Sequence, residues 1–92
     1  MAKAIVTLKI MPESPETDLE KLSKDALQKI KAFAGEGDTK KEIEPIAFGL
    51  KALKITFVME EAKGSTEPLE KEIAGIKGVS SVDVIDVRRA IG

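Results

Sequence analysis

Two segments of this chain alternate apolar and polar side chains, and each gives way to a stretch whose apolar residues recur every three or four positions. That repeated switch of period, from two to about 3.6, constrains the fold more than any other feature. In the first segment Val6, Leu8 and Ile10 point one way while Ile5, Thr7 and Lys9 point the other. The spacing predicts a strand over 4–10, central in its sheet because both faces are partly apolar. Pro12 and Pro15 then stop it. The following stretch predicts a helix over 17–33, with Leu19, Leu22, Ala26, Ile30 and Phe33 on one stripe. Thr17 with Glu20 reads as its capping box, and Gly35 and Gly37 as its end.

The second unit repeats the pattern. Leu53, Ile55, Phe57 and Met59 alternate with Lys54, Thr56 and Val58, a strong strand over 53–59. A turn over 60–64 leads to a shorter helix opened by Thr66 and Pro68, striped by Leu69, Ile73 and Ile76, and closed by Gly78. A last strand is predicted over 79–87. Between the two units, 39–43 is a weak, charged strand followed by Pro45, the marks of an edge position. The order is β-α-β-β-α-β. Right-handed crossovers then put both helices on one face of a four-stranded antiparallel sheet, in strand order 4-1-3-2. This is the α+β ferredoxin-like sandwich, and 92 residues suffice for one such domain, over 1–92.

The missing residue types exclude most chemistry. The chain has no Cys and no His, and Trp, Tyr and Asn are absent too. Thiolate nucleophiles, Cys-type metal sites and Ser-His-Asp or Cys-His constellations cannot be assembled. The acidic residues are interspersed with lysines at helix-surface spacings such as Glu67 and Lys71, the pattern of a solvated face. No metal, cofactor or bond chemistry is therefore expected. A net charge of −1 predicts no general affinity for nucleic acid or an anionic membrane. No signal peptide or membrane-length apolar run is legible, so a cytoplasmic location is expected.

Sandwiches of this kind host many activities. An RNA-binding sheet needs aromatic residues on its central strands, and Phe57 falls on the core parity. A metallochaperone needs a Cys pair. An acylphosphatase needs an arginine after the first strand and an Asn, and neither is present. Two features remain. The first is the block Pro45-Ile46-Ala47-Phe48-Gly49-Leu50-Lys51-Ala52-Leu53, where an aromatic precedes a glycine in the connection between the middle strands. Phe48 either folds back over an end of the sheet or, with Ile46, meets a partner from an exposed loop. The second is Arg88-Arg89, the only arginines, placed after the last predicted strand. They read as a solubilising tail or as an anchor for a carboxylate- or phosphate-bearing partner.

The 45–53 block, the opening strand at Ala4–Leu8 and the Asp86-Val87 ending together resemble archaeal translation elongation factor 1 beta, along the whole chain. The resemblance implies a guanine nucleotide exchange factor for the GTPase elongation factor 1 alpha, acting by binding and consisting here of the exchange module alone. It implies partner contacts at Ile46, Phe48, Gly49 and Lys51, with the Phe48 loop pressed on the GTPase near its phosphate and magnesium site. Eukaryotic relatives direct a lysine near the C-terminus toward that magnesium. This chain ends Arg88-Arg89-Ala90-Ile91-Gly92, so the lysine has no counterpart and the arginines stand in its neighbourhood. The alternative is a regulatory sandwich that binds a small molecule or self-associates.

Overall fold

A computed structural model describes residues 3–35 and 37–90. The elements run β1 (Lys3–Pro12), α1 (Leu19–Ala34), β2 (Thr39–Pro45), β3 (Lys51–Glu60), a 3₁₀ turn (Glu61–Lys63), α2 (Glu67–Ala74) and β4 (Val79–Ala90). The strands form one antiparallel sheet in the order β2-β3-β1-β4, the expected topology. Val6, Leu8 and Ile10 of β1 and Leu53, Ile55 and Phe57 of β3 are buried, and they share one core with Leu22, Ala26 and Ile30 of α1 and Leu69 and Ile73 of α2. Both helices therefore cover the same face. The opposite face is mixed, with Ile5 beside Val58 and its polar residues partnered across the strands. Thr7 and Thr56 meet across β1 and β3 through their hydroxyls at 3.0 Å, and Lys54 is paired with Glu44 of β2.

The boundaries differ from expectation where local chemistry outbids the sequence pattern. The helix cap is Asp18, not Thr17: the Asp18 carboxylate accepts from the backbone N–H groups of Glu20 and Lys21. Thr17 is drawn into the preceding loop instead, where its hydroxyl lies 3.4 Å from the Ser14 N–H and its own N–H donates to the Ser14 carbonyl. α2 stops at Ala74 with Gly75 as its cap, one turn earlier than Gly78 suggests. Ile76 remains at the edge of the core through a turn bond to Ile73. β4 continues through Arg88 and Arg89 because β1 offers paired partners as far as Lys3. The arginines are strand residues, not a tail.

Candidate functional site

The β2–β3 connection is a tight hairpin end. Leu50 donates its N–H to the Ala47 carbonyl at 3.0 Å, and Ile46 donates to the Leu50 carbonyl at 2.8 Å. The two central residues, Phe48 at φ 57° and Gly49 at φ 78°, both lie in the left-handed region. Two successive positive φ values are the pattern of a type I′ turn, whose twist suits an antiparallel hairpin. Phe48 does not fold back over the sheet. It is 95% exposed, and Ile46 beside it is 40% exposed. Phe57, of the same residue type on β3, is 1% exposed. Lys51 opens β3 next to this turn and is also exposed. Gly49 faces the β1–α1 loop, where a β-carbon on it would rest 3.8 Å from Pro15.

The arginines are elsewhere. Arg89 is level with Ala4 and Met59, and Met59 lies eight residues along β3 from Lys51. That is roughly 26 Å of strand at about 3.3 Å per residue. Arg89 is on the helix side, since it is paired with Ala4, and Arg88 is on the open face opposite Ile5. Both have partners within the domain. Arg89 donates from Nε and Nη2 to the two carboxylate oxygens of Glu61, at 2.7 and 3.1 Å. Arg88 donates from Nε to Asp86 at 3.0 Å. The hydrogen bond from Arg89 holds the Glu61 carboxyl below its ordinary pKa, against the opposing effect of burial. The two halves of the expected site are thus at opposite ends of the sheet. Ile46, Phe48, Gly49 and Lys51 come together, while Arg88 and Arg89 do not join them.

Sequence reasoning missed three exposed apolar residues: Ile43 on β2, and Ile85 and Val87 on β4. Val87 is level with the buried Val6 and in phase with the core, yet it is exposed. It floors a cleft of about 480 Å³ with Ala4, Val6 and Met59, walled by Thr66 and by the Arg89–Glu61 pair. Among the described residues no three carboxylates gather as a metal site would require, and no helix is long and apolar enough to cross a membrane.

The family model for the EF-1 guanine nucleotide exchange domain matches residues 5–90, which takes in the hairpin and both arginines. The chain belongs to the elongation factor 1-beta family. Its relative from Methanothermobacter thermautotrophicus, "Elongation factor 1-beta", is 46% identical over 89 residues, covering 97% of this chain and 98% of that one. The protein of that name from Staphylothermus marinus is 48% identical, with the same coverage of both chains. In the elongation factor 1-beta family the chain is a translation elongation exchange factor, and such factors act by binding a GTPase rather than by making or breaking bonds. Fold likeness reaches further than the family. The C-terminal domain of a cyclometallase involved in synthesis of the NPN cofactor of lactate racemase superposes with a TM-score of 0.64 at 16% identity. The match covers 99% of this chain and 58% of that one, and it speaks for the sandwich alone.

Proposed function

We propose that this chain accelerates GDP release from elongation factor 1 alpha, with the Phe48 hairpin as a principal contact. Binding drives the step. An exchange factor that prefers the nucleotide-free GTPase weakens GDP binding by the same free energy. The observation that carries this reading is the near-complete exposure of Phe48 in a domain whose other two aromatics are packed, Phe57 fully and Phe33 against the edge of the core. A large ring left in water gains nothing for the free domain, whereas an aromatic at the centre of an interface often carries about 2 kcal/mol or more of binding. Gly49, Ile46 and Lys51 shape and flank that contact.

The distance between the ends of the sheet bears on the mechanism. One phosphate-and-magnesium site cannot receive both Phe48 and the arginines across roughly 26 Å of strand. If Phe48 is at that site, Arg88 and Arg89 meet the GTPase at a second place, and the converse holds equally. Arg89 is the end to test, because it must leave Glu61 or carry it along. The deciding experiment pairs two measurements on Phe48→Ala: a melting curve of the domain, and release of a fluorescent GDP analogue from the cognate GTPase. The expected result is a melting point within a few degrees of the parent and a loss of about thirtyfold or more in acceleration. Full exchange activity in the stable variant would remove Phe48 from the mechanism.

A further inference from the structure

The conformation of the hairpin carries a second message, distinct from the exposure of the ring. The first central position of a type I′ turn favours Asn, Asp or Gly, which tolerate a left-handed backbone. A bulky residue there is an outlier, because its β-carbon crowds the following carbonyl. Phe48 occupies that position at φ 57° and is the only non-glycine with positive φ among the described residues. Nothing in the free domain offsets the strain, since the ring is 95% exposed and makes no packing contact of consequence. An uncompensated outlier points to a use outside the domain.

We infer that the left-handed backbone at Phe48 is a built-in positioning device, which holds the ring clear of the domain in one direction before the partner arrives, with Gly49 as the residue that positions it. The device rests on the reading of Phe48 as a partner contact. Its logic is preorganisation: a turn closed by two backbone hydrogen bonds leaves little loop ordering to be done on binding. Gly49 sits at φ 78°, so a side chain there is opposed by the backbone angle. Space is not the obstacle, because an added β-carbon would meet only Pro15, at an ordinary 3.8 Å.

Two sets of variants test this, each read by melting temperature and by a titration of the domain against release of a fluorescent GDP analogue from its GTPase. Phe48→Asn relieves the strain, and the melting temperature is expected to rise by roughly 4–8 °C. At position 49 the ring is kept and only its positioning is altered. The concentration giving half-maximal release should rise little for Gly49→Asn, more for Gly49→Ala, and about tenfold for Gly49→Val. The maximal rate should hold across the series, since the ring still docks once the turn is forced into place. Recovery with Asn, which is larger than Ala but tolerates the left-handed region, is the signature of a backbone role. An unchanged or lower melting temperature for Phe48→Asn would overturn the inference, as would losses at 49 that follow side-chain size. These failures are separate from failure of the functional reading, which would appear as full exchange activity in Phe48→Asn whatever its melting temperature.

Discussion

The two ends of the sheet present different chemistry to a partner. At the hairpin end an aromatic ring stands almost wholly in water, on a backbone angle that disfavours it. At the other end the two arginines are already engaged: Arg89 grips Glu61 with a two-pronged bond, and Arg88 holds Asp86. The difference teaches where to look for function. An unsatisfied group costs the free domain something and is explained only by what it meets later. A satisfied group is explained by its internal partner, and its use elsewhere requires an exchange of partners.

The largest expected effect tests whether burial separates two residues of one type. Phe57→Ala should destabilise the domain by about 3–5 kcal/mol, enough to lower its melting point steeply or prevent folding. Phe48→Ala should leave folding almost untouched. Similar melting losses for the two would erase the contrast between core and hairpin.

Next in size is the arginine pair. If it meets an anionic surface of the GTPase, replacing both Arg88 and Arg89 with Ala should weaken association severalfold and flatten its dependence on ionic strength. The melting point should move little, because both ion pairs are exposed to solvent, where screening and side-chain entropy offset most of their attraction. Exchange kinetics that keep the parent's salt dependence would leave the arginines with their internal role alone. Glu61→Gln sharpens the point. It frees Arg89, so association should strengthen slightly if that guanidinium is used by the partner and stay constant if it is not.

The smallest effect concerns acid. Folding lowers the Glu61 carboxyl below its ordinary value of 4.5, so the folded state binds fewer protons than the unfolded state in that range. The stabilisation is in full above the ordinary value and is lost as pH falls through the lowered one. Glu44, held down by its hydrogen bond from Lys54, behaves in the same way. Glu61→Gln should therefore melt with a slightly shallower decline on the acid side than the parent, a difference readable by calorimetry as pH falls below the ordinary value of 4.5. An identical acid limb would mean that the pair is dispersed in solution.

Much of this was legible in the residues alone. The alternation of β1 and β3 and the stripes of α1 and α2 determined which side chains pack, because burying an apolar face leaves few ways to arrange four strands and two helices. Val6, Leu8, Leu22, Ile30, Leu69 and Ile73 are all buried as their periodicity requires. Elements whose ends are set by competition between neighbours were less legible. Asp18 displaces Thr17 as the cap because Ser14 claims the threonine, and β4 runs on to Ala90 because β1 supplies partners across the sheet.

The sequence by itself determined the core, the topology and the singular character of the Phe48-Gly49 pair. Only the tertiary structure decided that the Phe48 ring lies outside the core, that its backbone is left-handed, and that Arg88 and Arg89 are far from it. Periodicity reports on faces, and a face is a property of local chain geometry. Exposure and the separation of two sites depend on which strands lie side by side and in what register, and those are set by contacts between residues distant in the chain.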